Sequence, residues 1–327
     1  MSQTSASAEA AAAEEELPRP ERFDDVKGWF WPADQLLFDW FLARQDATGQ
    51  KGDMVELGAY LGKSSVFLGS YLREGETFTV CDLWDSPAPD DSNSAEMDRS
   101  YSTLTRRAFE ANYLSFHDRL PTLVQAPTSV ITSEVAAASC RFVHVDASHL
   151  YEHVHLDIQA ARKLLVPEGI VAFDDFRAEH CPGVAAAVWG ALPTTDLRPI
   201  VITGTKLYGT WGDPDPVREE LLEWLAGRTD MWHGVEEVAG RPLIRVKANR
   251  STGTPRHPES RHEPLPRPEP LPAETAPVAA APEPVAPEPA VAPARRRPSL
   301  ARRVAREVLP PIVTRALTSN KERRPSR

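Results

Sequence analysis

The chain has 327 residues, 41% of them hydrophobic, and a formal net charge of −10, which suits one sizeable core with appendages or two small domains. No apolar run approaches the roughly 20 residues needed to cross a bilayer. Cys81, Cys140 and Cys181 are odd in number, widely spaced and without a C-x-x-C pair, which excludes a disulfide framework and reads as reduced thiols of a cytoplasmic protein.

Taken in chain order, residues 1–20 are rich in Ala, Glu and Ser and lack a basic start or apolar run. They read as a disordered arm, neither signal peptide nor anchor. Residues 21–249 alternate short apolar runs with helical patterns, the signature of a layered α/β domain with a mostly parallel sheet. An aromatic-rich helix is expected over Trp29 to Gln45, where it could roof a site. A strand follows from Met54 to Leu57, then a glycine turn into a helix from Lys63 to Leu72. The second strand, Thr77 to Cys81, ends on Asp82. The insertion from Trp84 to Phe116, acidic at first and then helical, has the length of a lid.

A short third strand is expected at Leu123 to Gln125. The fourth, Arg141 to Val145, ends on Asp146 and leads into a helix from Ser148 to Leu165. The fifth, Gly169 to Phe173, ends on Asp174 and Asp175. A helix with Pro182 at its start and a closing strand pair, Pro199 to Thr203 and Lys206 to Thr210, complete the pattern. Residues 250–294 read as a semi-rigid linker, since residues 251–294 hold 13 of the 31 prolines. Residues 295–327 carry ten Arg and one Lys against two Glu, about +9, so the remainder is near −19. Their stripe of Leu300, Val304, Val308 and Leu309 among arginines suits an anionic membrane surface or an acidic partner. A solvated, disordered end is the bland reading. The tail lacks the aromatic interleaving of a nucleic-acid platform.

Ligands of open parallel sheets bind at the carboxyl ends of the strands, and here those ends carry acids or glycine. The segment VELGAYLGKSS, Val55 to Ser65, spaces Gly58 and Gly62 as neither a dinucleotide fingerprint nor a P-loop. Glu56 would repel a pyrophosphate and suit a cationic group. Asp82 lies 24 residues after Gly58, close to the offset at which an acid reads ribose hydroxyls. The expectation is a nucleoside without a pyrophosphate.

Asp146, Asp174 and Asp175 should converge on adjacent strand ends. A divalent cation would relieve their repulsion, and hard oxygen ligands favour Mg²⁺ over Zn²⁺. The alternative is that they cap helices and pair with Lys or Arg. His149, three residues after Asp146, is a candidate general base. HLYEH, His149 to His153, also fits a zinc-peptidase pattern. That pattern needs both histidines inside one helix, whereas His149 follows directly on a strand end. His155 reads as a solvated surface histidine, and His153, on the same face as His149, as incidental, with a support for His149 as the alternative.

VELGAYLGKSS followed by TVCDLWD resembles the S-adenosylmethionine-binding half of class I methyltransferases. FVHVDASHLYEHVHLDIQAARKLLVPEGIVAFDDF resembles the second half of small-molecule O-methyltransferases with a D-x-x-H motif and an acidic pair, a group that includes metal-dependent macrolide-sugar enzymes. The likeness covers residues 50–212. It implies a Rossmann-like fold, a seven-stranded mostly parallel sheet with helices on both faces and disordered tails outside it. It further implies S-adenosylmethionine held by Glu56, Gly58, Gly62, Ser64, Asp82 and Ser129, a Mg²⁺ held by Asp146, Asp174 and Asp175, and His149 as base. The acceptor expected is a hydroxyl of a sugar-bearing natural product or glycolipid. A hydroxylase-like relative with an iron centre and a non-catalytic scaffold with a recruiting tail are the competing readings, and homo-oligomerisation is left open.

Overall fold

The computed structural model describes residues 17–87 and 104–262. The expectations for residues 1–16, for the acidic stretch 88–103 and for the linker and tail beyond 262 lie outside the described residues. The described helices are α1 (Pro32–Ala47), α2 (Lys63–Gly69), α3 (Arg106–Leu114), α4 (Ile131–Glu134), α5 (Tyr151–Leu164), α6 (Pro182–Thr195) and α7 (Asp215–Ala226). The strands are β1 (Asp53–Leu57), β2 (Phe78–Asp82), β3 (Thr122–Gln125), β4 (Cys140–Val145), β5 (Leu165–Phe173), β6 (Arg198–Ile202), β7 (Leu207–Thr210), β8 (Met231–Val238) and β9 (Arg241–Ala248). None of these helices is long and apolar enough to cross a membrane.

They form one α/β sheet in the order β3-β2-β1-β4-β5-β7-β6-β9-β8. The first five strands are parallel, and β7 is antiparallel to both β5 and β6. The strand period of two sends alternate residues to opposite faces. Met54, Val80, Phe142 and Ile170 pack under α1, α2, α3 and α7, while Val55, Cys81, Val143 and Val171 pack under α5 and α6. Both faces are therefore covered, as a parallel sheet requires.

Seven of these strands correspond to those expected; the β8–β9 hairpin is additional, and pairs with β6 through β9. Its turn, Ala239–Gly240, holds both residues at positive φ, 52° and 71°. That is the two-residue hairpin geometry in which Asn or Asp usually stands first. The helix after β4 starts at Tyr151, three residues later than expected, because the Ser148 hydroxyl accepts the Leu150 N–H at 3.3 Å and makes a side-chain turn.

Past residue 249 the chain does not leave the body at once. His257 packs against Phe23 with ring centroids 4.3 Å apart and bonds Gln35 Oε1 at 2.7 Å, and the Ser260 hydroxyl donates to the Pro20 carbonyl at 2.7 Å. These contacts brace the segment that leads into α1.

Register fixes the ligand edge. Leu57 of β1 lies beside Cys81 of β2 and Val145 of β4, and Val145 beside Phe173 of β5. The next residues, Gly58, Asp82, Asp146 and Asp174, therefore sit side by side at one edge.

Beneath that edge Asp157 of α5 is buried, and its Oδ2 has no hydrogen-bond partner. Burial pushes its pKa up to about 6 against the opposing pull of the Thr128 hydroxyl and His153. The folded state then binds the proton more tightly than the unfolded chain, so stability falls as pH rises from the ordinary carboxylate range through about 6. Asp157→Asn is expected to melt at a higher temperature than wild type at pH 8, with the gain vanishing near pH 4; thermal denaturation at the two pH values checks this.

Candidate active site

The turn after β1 is built for close approach. Gly58 has φ 79°, and a Cβ there would lie 2.0 Å from the Asp146 carbonyl oxygen and 2.6 Å from Ala147 Cα. Only glycine lets the β1 and β4 loops touch. Asp82 closes the turn from β2, its Oδ2 accepting the N–H groups of Ala59 at 2.7 Å and Tyr60 at 3.0 Å, its Oδ1 that of Trp84 at 2.9 Å. Tyr60 sits at φ 50° and Asp175 at φ 50°, two strained residues at the same edge.

Behind the edge runs a buried polar chain. The Ser65 hydroxyl donates to Glu56, and Glu56 Oε1 pairs with His144 Nδ1 at 2.8 Å. His144 Nε2 lies 3.1 Å from Lys206 Nζ, which also forms an ion pair with Asp174 Oδ2. An ammonium only donates and a carboxylate only accepts, so the proton of His144 is on Nδ1. Asp34 of α1 completes the surroundings, accepting from Thr203 and Thr205 at 2.7 Å and from Tyr208 at 2.8 Å.

The charges settle accordingly. Burial opposes the charge on Lys206, yet Asp174, Asp146 and Asp34 outweigh it and raise its pKa. Burial likewise pushes Asp174 up, but Lys206 and His144 hold it below the carboxylate range. Asp146 is raised well above that range by burial and by the neighbouring Asp174 charge.

His149 stands at the front of this edge. Its Nε2 is 3.2 Å from Asp175 Oδ2, and its backbone is clamped by α6, where a Cβ on Gly183 would lie 2.4 Å from the His149 carbonyl oxygen. Since α5 begins at Tyr151, His149 and His153 do not share a helix, and the zinc-peptidase reading of HLYEH fails. His153 Nδ1 lies 2.9 Å from the Ser148 hydroxyl. His155, expected on the surface, lies 2.8 Å from the exposed Gln159. His180 faces His149 edge-on at 5.8 Å.

Two cavities open here. The first, about 350 Å³, is lined by Gly58, Asp82, Leu104, Ser129, His153 and Leu156 among others. The second, about 730 Å³, has Trp29, Trp31, Ser64, His149, Asp175 and His180 in its walls. Ala59, Tyr60, Asp146 and Ala147 line both, so the two spaces adjoin. The aromatic roof is the segment before α1 rather than the helix: Trp29 and Trp31 are exposed, and Trp29 lies 5.4 Å from the Tyr60 ring.

Of the residues expected to bind cofactor, Gly58, Asp82 and Ser129 therefore face the first cavity and Ser64 the second. Glu56 and Gly62 face neither. Glu56 is fully buried in its bonds to Ser65 and His144, and Gly62, at φ 89°, lies against the Phe109 ring. Sequence reasoning missed Lys206, His144, Asp34 and Tyr60. The signals were a lysine opening an apolar strand, and a histidine in FVHVD on the same side of the strand as Asp146.

The three expected magnesium ligands are brought together but do not fit the ion. Asp174 gives one oxygen to Lys206 and the other to the Asp175 N–H, and Asp175 is engaged by His149. Lys206 Nζ already occupies an oxygen of Asp174 and the remaining nitrogen of His144, which a divalent ion would need. The outcome is the pairing alternative: the positive charge comes from a lysine.

A family model described as a methyltransferase domain matches residues 55–176. No curated protein matches the chain. Similar solved structures include the O-methyltransferase NovP, 18% identical over 55% of this chain and 81% of NovP, TM-score 0.45. Another is CalS11, a TDP-rhamnose 3'-O-methyltransferase of calicheamicin biosynthesis, 20% identical over 55% of this chain and 80% of CalS11, TM-score 0.38. A third is the O-methyltransferase TomG from Streptomyces achromogenes in complex with SAM, 19% identical over 66% of this chain and 77% of TomG, TM-score 0.31.

Asp82 holds the turn as well as facing the first cavity, so Asp82→Asn should lower stability even without ligand. Turning one acceptor oxygen into an amide against a backbone N–H is expected to cost about 1–3 kcal/mol, measured by denaturant unfolding of the ligand-free protein. An unchanged unfolding midpoint would contradict the structural role.

Proposed function

We propose that the chain, whose residues 55–176 match a methyltransferase domain, transfers a methyl group from S-adenosylmethionine to a hydroxyl of a sugar-bearing natural product or glycolipid. The observation that carries this reading is the pair of cavities sharing Ala59, Tyr60, Asp146 and Ala147. Methyl transfer needs a donor and an acceptor in line on either side of a narrow passage.

In this reading the first cavity takes the nucleoside. Asp82 accepts ribose hydroxyls with lone pairs its backbone partners leave unused, and Ser129 borders the adenine. Bound S-adenosylmethionine supplies an electrophilic methyl group on a sulfonium, placed at the shared wall. The acceptor occupies the second cavity, whose size and aromatic rim of Trp29, Trp31 and Tyr60 suit a ring-bearing molecule.

His149 removes the proton. Its Nε2 lies 3.2 Å from Asp175 Oδ2, so Asp175 stands where it can stabilise the imidazolium that forms. The acceptor hydroxyl would give its proton to the His149 imidazole, its oxygen would take the methyl group, and the carbon–sulfur bond would break to leave a neutral thioether. Positioning supplies much of the remaining acceleration. The basic segment 295–327 is proposed to attach the domain to an anionic membrane surface or acidic partner.

Calorimetry with S-adenosylmethionine tests the premise, and absence of binding would favour the scaffold reading. His149→Ala is expected to keep the cofactor dissociation constant within about twofold while cutting methyl transfer by about 10²–10⁴. The readout is mass spectrometry for a 14-dalton gain in acceptors from extracts of the source cell, where an unchanged rate would remove His149 as base.

A further inference from the structure

We infer that Lys206 is the resident cation of this site: its ammonium takes the place at which a carboxylate cluster of this kind would hold a divalent metal. Among the described residues His144, Asp146 and Asp174 offer ligand atoms that all lie within 4.8 Å of one another. Lys206 Nζ bonds two of those three residues, pairing with Asp174 Oδ2 and donating to His144 Nε2 at 3.1 Å. The one lone pair that His144 could give a metal is therefore spent on the lysine, and its other nitrogen is committed to Glu56 at 2.8 Å. The ammonium brings positive charge to the cluster and occupies two of the ligand atoms a metal would need.

The lysine is not a chance visitor from the surface. It is 1% exposed, and its backbone N–H donates to Thr203 Oγ1 at 2.9 Å while its carbonyl accepts the Thr203 N–H at 2.9 Å, pinning the β6–β7 turn. Its ammonium also lies 5.8 Å from the Phe30 ring centre and 5.9 Å from that of Phe38. The rings of Phe30 and Phe38 on one side and the acids on the other hold the ammonium in place.

A consequence for substrate class follows, and this part rests on the methyl-transfer reading. A bound metal would draw two neighbouring acceptor oxygens into its coordination shell, whereas an ammonium enclosed behind Asp174 offers them nothing. Orientation then falls to the walls of the second cavity and proton removal to His149. The acceptor needs only one hydroxyl at the passage, with no vicinal partner.

The test is Mn²⁺ titration of the full chain followed by electron paramagnetic resonance, which reads the metal alone and needs no acceptor. Wild type is expected to show no Mn²⁺ bound in a way that depends on Asp146, judged against Asp146→Asn. Lys206→Met should bind one Mn²⁺ at least about tenfold more tightly than wild type, as removal of the like charge requires, and Lys206→Met/Asp146→Asn should lose it. If Lys206→Met does not fold, Lys206→Gln replaces it, and the wild-type titration decides alone if neither folds. Wild-type binding of one Mn²⁺ abolished by Asp146→Asn would overturn the inference, as would a folded Lys206 variant that gains no site. Failure here would leave S-adenosylmethionine binding untouched, and failure of that binding would leave the Mn²⁺ result standing.

Discussion

The ion pair between Lys206 and Asp174 is the constraint around which this domain is arranged. Both groups are buried, and two charges withdrawn from water cost several kcal/mol each unless they are paired and their remaining bonds filled. The chain meets that condition with groups from four directions. Asp34 comes from α1, His144 from β4 backed by Glu56 from β1, Asp174 from the end of β5, and Lys206 from the β6–β7 turn. The same chain of contacts couples the floor of the glycine turn, through Ser65 and Glu56, to the acidic edge where His149 stands. Breaking any link would leave a buried charge without its partner, a more serious loss than an exposed salt bridge such as that of Arg44 and Glu220.

Around this centre the sheet edge divides its labour. Toward β2 and β3 it presents a glycine turn, a backbone-bonded acid and the polar loop at Ser129. Toward β5 it presents His149, Asp175 and the aromatic segment before α1. The division reflects register: β1, β2, β4 and β5 end level, so their next residues form a continuous row. Two of the residues held at positive φ, Tyr60 and Asp175, stand in the same row. Tyr60 thereby enters the shared wall of the two cavities, and Asp175 comes within 3.2 Å of His149. Side chains so placed need little rearrangement to act, which is how strain at a site is offset by function.

The sheet, its first seven strands and the cluster of Asp146, Asp174, Asp175 and His149 were legible in the sequence, because strand ends carrying acids are a local signal. What escaped were relations between distant segments. Lys206 opens a strand that reads as ordinary apolar sequence, and only the antiparallel return of β7 beside β5 brings it to Asp174. Glu56 resembles a ligand residue by its place before a glycine, yet the side-chain alternation of β1 turns it into the α1 face, where His144 meets it. The hairpin of β8 and β9 was hidden by the Ala-Gly turn and by strands whose residues are largely exposed, so that neither turn chemistry nor apolar alternation announced it. The late start of α5 was hidden in one hydroxyl, that of Ser148.

A crystal structure of the full chain with S-adenosylhomocysteine tests this arrangement most directly. The adenosine is expected in the cavity of Gly58, Asp82 and Ser129, the sulfur beside Tyr60 and Asp146, and the Lys206 ammonium still against Asp174. Density for the ligand in the cavity of Trp29 and His149, or a metal ion between Asp146 and Asp174 with Lys206 displaced, would contradict it.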